Sequence, residues 1–389
     1  MIPWKPMDYV KPEILFNKNT VFFIAVTMVM VLMVWFGKNS SIIYTPNLNY
    51  DPNVEYVSGR VVEVIADETA INDYGMRTGA QQILVKIMSG SHKGEIIEIT
   101  NRVFMENSVY AKAGQRLNIY FYAPPASDTP VASVRNYERS TTIYLIIGFF
   151  IFLLALVGGV TGIRSAFGLI FTFVVILFLL IPLIVQGWSP AGLSLGLGFV
   201  IIVISLISIL GFTTKTYVCM ISTGIGVAIC GLFYLIFSKA LHITGYNADD
   251  IDALLVIMQN SNIQVADFLF CGILIASLGA ILDVTVSIAS SIEELSVTNP
   301  KSDERSLFRS GMNIGRDIIG ATSNTLILAF AGTFFISLII FRINKFNYHM
   351  LISSTDIGIE VLRAIAASTA LILVAPVTAF IGSKVYGKK

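Results

Sequence analysis

The chain has 389 residues, of which 55% are hydrophobic and 13% are charged, and its mean hydropathy is +0.75. Soluble globular proteins carry about 25% charged residues, so this composition excludes an ordinary soluble protein and also a disordered chain. The net charge of +1 gives no field that would attract nucleic acid, and no nucleic-acid partner is expected. Of the 51 charged side chains, 21 lie in residues 38–141. The sequence therefore predicts a polar module inserted into a polytopic membrane protein.

Residues 1–37 predict a cytoplasmic N-terminus followed by the first membrane helix. A spanning helix needs about 20 mostly apolar residues, and the run over residues 20–37 approaches that length. Basic residues precede it, as in a signal peptide, but no small-x-small cleavage motif follows. We therefore predict an uncleaved signal-anchor helix.

Residues 38–141 predict a β-rich domain. Four segments alternate apolar and polar residues: VSGRVVEVI, QQILVKIM, EIIEIT and GQRLNIYFYA. The loop SGSHKG, between the second and third, is typical of a hairpin connection. Short strands at this spacing indicate a small closed, OB-like β-barrel.

Residues 142–389 predict a seven-helix transmembrane domain. Its apolar runs lie at about 142–160, 164–186, 190–211, 216–238, 265–292, 317–341 and 358–382. With the anchor, the fold class is an α-helical polytopic membrane protein of about eight transmembrane helices, with the β domain after the first. Residues 247–264 are too short and too charged to span, so they predict a helix at the interface.

The basic residues predict the orientation of the chain. With the N-terminus inside, most of them fall on the cytoplasmic side, as the positive-inside rule requires. Both termini are then cytoplasmic, and residues 38–141 are extracytoplasmic. The residues on the cytoplasmic side are Lys5, Lys11, Lys18, Arg164, Lys215, Lys301, Arg305, Arg309, Arg316, Lys384, Lys388 and Lys389.

The helix predicted over 265–292 carries the most informative polar pattern. At 3.6 residues per turn, Gly272, Gly279, Asp283, Ser287 and Ser290 share one stripe. The small residues predict close helix packing. An ionisable residue at membrane depth costs a few kcal/mol or more, so Asp283 is a hypothesis for an ion- or substrate-binding residue.

The following helix adds a second polar cluster. Arg316, Asp317, Gly320 and Asn324 lie close to one side of it, and a short loop makes the two helices an antiparallel pair. We therefore predict a polar seam in which Asp283 meets Asn324 or Arg316, while Gly320 serves packing. The alternative, that the glycines only pack and that Arg316 and Asp317 only anchor the cytoplasmic end, stays open.

The last helix and the cysteines complete the set of candidate residues. Pro376 frees a backbone carbonyl near Thr378, which predicts a kink, either at a ligand site or without a ligand. Cys219, Cys230 and Cys271 lie in apolar runs, and the three histidines are isolated. No disulfide framework, metal site or cofactor is therefore expected.

Several strings resemble the YibE/F-like family of multipass bacterial membrane proteins. They are GAILDVTVSIASSIEEL, SGMNIGRDIIGATSNTLILAFAG, APVTAF, KGEIIEITN and GIRSAFGLIFT. The resemblance implies an integral protein of the bacterial plasma membrane, usually described only as a permease. It implies no established substrate and no catalytic residue.

The leading hypothesis is therefore a permease for a small polar solute, ion or proton, with Asp283 as the coupling residue and Ser287 and Asn324 as ligands. The alternative is a receptor or accessory scaffold whose external β domain binds an envelope component or peptide. No zinc motif, Ser/His pair or two-aspartate pattern supports an enzyme. The expected partners are the lipid bilayer and, in a homo-oligomer, further copies of the chain.

Overall fold

The computed structural model describes residues 18–39, 54–104, 109–122, 131–243 and 265–387. The described residues belong to two compact units. One is a β unit within Pro46–Leu153, and the other comprises the first helix and the described residues from Leu154 onward. Each has a hydrophobic core of its own. The interfacial helix predicted for residues 247–264 lies outside the described residues.

The β unit contains six described strands. They are β1 Val54–Asp67, β2 Ala70–Ile71, β3 Arg77–Ile87, β4 Ile96–Val103, β5 Arg116–Tyr122 and β6 Val131–Tyr137. The four predicted strands are confirmed as β1, β3, β4 and β5, and β3 and β4 form the predicted hairpin. The sequence missed β2, which has two residues, and β6, in which only Val134 is buried.

The sheet is a curled half-barrel. All its pairings are antiparallel, in the order β2-β3-β1-β5-β6, with β4 also on β3. β1 pairs with β5 through Val54–Arg60 and with β3 through Gly59–Asp67, so the sheet curls about Gly59. A Cβ at Gly59 would collide with the side chains of Ile119 and Val85. Among the described residues no ladder joins β4 to β6, so the barrel-like domain is confirmed as a half-barrel, and its closure stays a prediction.

Every second residue of the central strands fills the core of the β unit. Ile83, Val85 and Ile87 on β3 are fully buried, and so are Leu117 and Ile119 on β5. Side chains of a strand alternate between its two faces, so this alternation in the sequence produces one buried face. The predicted strand pattern and the observed core therefore agree.

Seven of the ten described helices have more than 20 residues. The ten are α1 Lys18–Asn39, α2 Ser140–Val175, α3 Ile181–Val185, α4 Pro190–Leu210, α5 Thr214–Ala240, α6 Val265–Thr298, α7 Glu304–Thr333, α8 Phe335–Ile343, α9 Tyr348–Ile352 and α10 Thr355–Tyr386. A π-helical turn, Ile176–Leu180, joins α2 to α3. Six runs of the described residues are long and apolar enough to cross a membrane, and the pair α7–α8, bent by 56°, makes a seventh if it is one span.

The predicted helices 142–160 and 164–186 form one run, Ser140–Val185, with a break at Gly159. Drawn out as one straight helix at about 1.5 Å per residue, 46 residues would measure ~69 Å, about twice the ~30 Å core of a bilayer. Gly159 has φ 55° and ψ −137°, which no helical residue adopts. A Cβ at Gly162 would collide with the carbonyl of Leu154. The total of eight helices requires two crossings by this run and stays a prediction.

The core of the helical unit lies between α5, α6 and α10. The buried face of α10 is rich in alanine, including Ala367, Ala370 and Ala375, which allows close approach of the neighbouring helices. Gly226 on α5 lies where the three helices converge, because a Cβ there would be 2.8 Å from Ile281 and 3.0 Å from Val374.

Helix ends predicted to be cytoplasmic lie on one side of this unit. Lys215 at the start of α5 forms a 2.7 Å ion pair with Glu293 near the end of α6. The Tyr386 hydroxyl at the end of α10 donates to Glu293 at 3.2 Å. The end of α4 approaches the start of α1, since a Cβ at Gly211 would be 3.7 Å from Asn19. This arrangement agrees with the predicted alternation of helix directions.

Candidate functional site

The two polar helices α6 and α7 form the predicted antiparallel hairpin. Asp303 caps α7 by accepting a hydrogen bond from the backbone N–H of Ser306 at 3.3 Å. The helices pack through glycines: a Cβ at Gly311 would meet Ile292 at 2.7 Å, and one at Gly315 would meet Ile288 at 3.2 Å. These two pairs fix the register of the hairpin.

Asp283 lies on the outer side of α6. It is in the middle of the 33-residue apolar span Ala266–Thr298. Nine residues, about 2.5 turns, separate it from Ile292, so the two side chains point to opposite sides of the helix. Asp283 and Ser287 are exposed and Ser290 is half-buried. No described residue forms a hydrogen bond or ion pair with the Asp283 carboxylate.

The polar residues of α7 also point away from the core. Gly320 is nine residues after Gly311 and therefore on the opposite side of α7. Arg316, Asp317 and Asn324 lie near that side and are exposed. The Arg316 Nη1 donates to Asn313 Oδ1 at 3.3 Å, a bond within the same helix.

The predicted seam between Asp283 and Asn324 or Arg316 is therefore wrong. The interface between the helices is occupied by Gly311 and Gly315 against isoleucines, because these glycines allow the closest approach. The polar groups are left on the outer faces of both helices. We use the name outer polar face for this exposed set, of which Asp283 and Ser287 lie on α6 and Arg316, Asp317 and Asn324 on α7, each part pointing away from the interface that the two helices share.

The packing role predicted for three glycines is also wrong within the described chain. No atom lies within 4 Å of a Cβ built at Gly272, Gly279 or Gly320. All three are exposed on the same faces as the polar residues. Gly272 and Gly279 leave a shallow strip beside Asp283 where the backbone of another element could approach closely.

Pro376 and Thr378 lie within an uninterrupted helix. α10 is continuous from Thr355 to Tyr386. The Thr378 hydroxyl is buried and donates to the Val374 carbonyl at 2.8 Å, so its proton is already used. The broken-helix ligand site suggested by the sequence is therefore not formed at Thr378.

A buried hydroxyl pair between α5 and α6 escaped the sequence analysis. Thr223 Oγ1 and Thr285 Oγ1 are 3.0 Å apart, and the Cys219 thiol donates to the Thr285 carbonyl at 3.7 Å. Two residues correspond to about 200° around a helix, so Thr285 points away from Asp283 and faces the core. The available signal in the sequence was the seven-residue spacing of Thr216 and Thr223, which places both hydroxyls on the same side of α5.

The outer polar face carries several kinds of polar group. A carboxylate can accept a proton, carboxylate, amide and hydroxyl oxygens can coordinate a hard cation, and Arg316 can pair with an anion. Within the described ranges, no three His, Cys, Asp or Glu side chains are grouped closely enough to hold a metal ion.

Long apolar helices with charged residues at membrane depth define the class: this is a multipass membrane protein. A family model described as "YibE/F-like protein" matches residues 146–388, and the chain belongs to that family. The match includes α4 to α10 and therefore the whole outer polar face. Neither a curated protein nor a solved structure matches the chain.

Proposed function

We propose that the protein is a permease for a small polar solute, cation or proton, and that the outer polar face lines its path. The single observation that carries the proposal is the exposed Asp283 carboxylate at the middle of α6. A charged group facing lipid at that depth is unfavourable by a few kcal/mol or more. Water, a solute or a second protein surface must therefore meet it.

Polar groups of the two helices lie at matching depths. In the register set by Gly311 and Gly315, Arg316 lies level with Ser287, Gly320 with Asp283, and Asn324 with Gly279. Four residues, about 6 Å, separate successive levels. On each helix the polar groups lead from the loop end of the hairpin to its middle, which suits stepwise transfer of an ion or solute along its outer side.

The outer polar face indicates where the copies of the expected homo-oligomer would meet. A second copy placed against α6 at Gly279 would shield Asp283 from lipid and enclose the path between two chains. In this proposal the chain sits in the bacterial plasma membrane, with both termini cytoplasmic and residues 38–141 outside. No cofactor and no enzymatic step are required.

Flux measurements test the permease proposal. Purified protein in lipid vesicles should dissipate an imposed pH or cation gradient faster than empty vesicles do. A variant lacking residues 45–135 should retain part of that flux, because the helical unit has its own core. Vesicles that remain tight with both proteins would contradict the proposal.

The second candidate, a receptor or accessory scaffold, is favoured by an ordered polar patch on the β unit. The Tyr110 hydroxyl donates to Asp67 Oδ2 at 2.7 Å, and the Arg77 guanidinium stacks 4.2 Å from the Tyr110 ring. Hydrogen bonds from Thr69 and Tyr110 lower the pKa of Asp67 to about 2, so it stays ionised. Such a prearranged patch suits peptide binding, and a receptor would lose all function without residues 45–135.

A further inference from the structure

A groove of about 300 Å³ lies between the start of α7 and the end of α10. Arg305 and Lys384 line it with positive charge, and Phe308 and Phe380 line it with aromatic rings. Both phenylalanines are exposed, the first by 37% and the second by 52%. The groove therefore joins two cations to an apolar surface at one end of the helical unit.

The register of α7 against α10 sets the depth of this groove. A Cβ built at Gly315 would be 3.7 Å from the Ala375 Cβ. The same register places Gly320 level with Ala370, at the depth of Asp283 in the middle of the α6 span.

From this middle level, the two aromatic rings are about 15–18 Å away along the helices, and the two cations about 21–23 Å. The hydrocarbon core of a bilayer ends about 15 Å from its midplane, and the headgroup region ends about 20–22 Å from it. Phe308 and Phe380 therefore lie at the edge of the hydrocarbon, and Arg305 and Lys384 lie at the level of the lipid headgroups.

The two cations of the groove have no anionic partner within the described chain. Neither Arg305 nor Lys384 forms an ion pair there, and both side chains are exposed. The Lys384 Nζ lies 4.9 Å from the centroid of the Phe380 ring. The Ser383 hydroxyl also lines the groove, but it donates to the Phe380 carbonyl at 2.9 Å. The free donors are therefore a guanidinium and an ammonium group, which are the side chains that bind phosphate best.

Glu304 is the one acid among the residues that line the groove, and its charge opposes that of a phosphate. It lies in the first turn of α7, where the partial positive charge of the helix end offsets a carboxylate. A Cβ built at Gly387 would be 2.8 Å from the Glu304 Cα, so this residue packs against the end of α10. Two cations and one carboxylate leave the groove with net positive charge.

We propose that this groove binds the phosphate of an anionic phospholipid. Arg305 and Lys384 donate to the phosphate oxygens, and the upper acyl chains lie against Phe308 and Phe380. Basic pockets between transmembrane helices bind anionic headgroups in this way. A volume of 300 Å³ equals that of about ten water molecules, which accommodates a phosphate with its glycerol arm. The site is separate from the outer polar face and does not rest on the permease proposal.

The test is a titration of the full chain in detergent micelles with phosphatidylglycerol, in which native mass spectrometry counts the bound lipids. Phosphatidylcholine with the same acyl chains is the reference, because it carries a phosphate but no net charge. The wild type should bind its first phosphatidylglycerol at least tenfold more tightly than phosphatidylcholine. Arg305→Gln combined with Lys384→Gln should abolish this preference.

The matched control is Lys301→Gln combined with Arg309→Gln. It removes two exposed cations near the same end of α7 that do not line the groove. The general attraction between protein and anionic lipid falls equally in both double variants, so the control should keep the preference for phosphatidylglycerol. An equal loss of preference in the control would overturn the proposal.

Two further measurements apply if the groove variant folds poorly. Glu304→Gln removes the opposing charge and should tighten the binding of phosphatidylglycerol. Soluble glycerol phosphate should compete at least tenfold less well than the lipid, because it has no acyl chains to contact Phe308 and Phe380. Unchanged or weaker binding by Glu304→Gln, full competition by glycerol phosphate, or no lipid preference in the wild type would each overturn the proposal.

Discussion

Asp283→Asn is expected to abolish flux while the protein still folds and inserts at the wild-type level. Asparagine keeps the shape and hydrogen-bonding capacity of aspartate but cannot ionise. Because Asp283 is exposed and forms no hydrogen bond or ion pair with a described residue, the substitution removes charge without disturbing the core. Asp283→Glu keeps the charge and should retain part of the flux. The measurement is vesicle flux together with the amount of inserted protein.

The matched control for Asp283→Asn is Glu294→Gln. Glu294 is exposed on the same stripe of α6, near the loop end of the helix. It is solvated there under the predicted topology, so its loss should change flux little. If Asp283→Asn were as active as the wild type, Asp283 would not couple transport, and the receptor or scaffold hypothesis would gain.

The second large effect is expected at the centre of the helical core. Gly226→Leu introduces a side chain where a Cβ alone would already be 2.8 Å from Ile281 and 3.0 Å from Val374. Overpacking of a well-packed core costs about 1–3 kcal/mol, and α5, α6 and α10 must separate to admit four carbons. We expect a clearly lower melting temperature in detergent and less inserted protein.

Gly224→Leu is the control for Gly226→Leu. Gly224 is on the same helix, and no atom lies within 4 Å of a Cβ built there. Both variants replace glycine by leucine in α5, so their effects on helix propensity are similar. If the two variants melted at the same temperature, the close convergence of three helices at Gly226 would be disproved.

Periodicity predicted the elements of the fold but not their packing partners. The alternation in QQILVKIM and GQRLNIYFYA identified β3 and β5, because a half-buried strand must alternate. The sequence could not decide between a half-barrel and a closed barrel, because the spacing of strands does not determine which strand edges pair. The short final strand, with one buried residue, gave no such signal.

The polar stripe shows the same limit at the candidate site. The 3.6-residue period correctly placed Asp283, Ser287 and Gly279 on one face of α6. The period could not tell whether that face packs against the core of the helical unit or lies on its outer surface. Gly311 and Gly320 look alike in the sequence, yet the first packs on Ile292 and the second has open space. Only the positions of the neighbouring helices distinguish them.

The bend between α7 and α8 was equally hidden. It occurs at Phe334 without a proline. The bend brings Phe330 and Phe334 close to Glu360, which follows them by 30 and 26 residues in the chain. Such a contact depends on tertiary packing, which local patterns do not encode.

Cysteine labelling tests the central claim most directly, namely that the outer polar face meets water and not lipid. Cys219, Cys230 and Cys271 would first be replaced by alanine. Single cysteines at Asp283 and Ser287 would then be compared in intact membranes with single cysteines at Ile225 and Ile221. The ion pair between Lys215 and Glu293 sets the register of α5 against α6, so Ile225 lies level with Asp283 and Ile221 with Ser287. Both isoleucines are exposed.

A charged methanethiosulfonate reagent reacts with thiolates, which form in water and not in lipid. The account predicts rapid labelling at positions 283 and 287 and none at 225 and 221. Labelling at 283 and 287 as slow as at 225 and 221 would show that the outer polar face meets no water, and would contradict the proposed path.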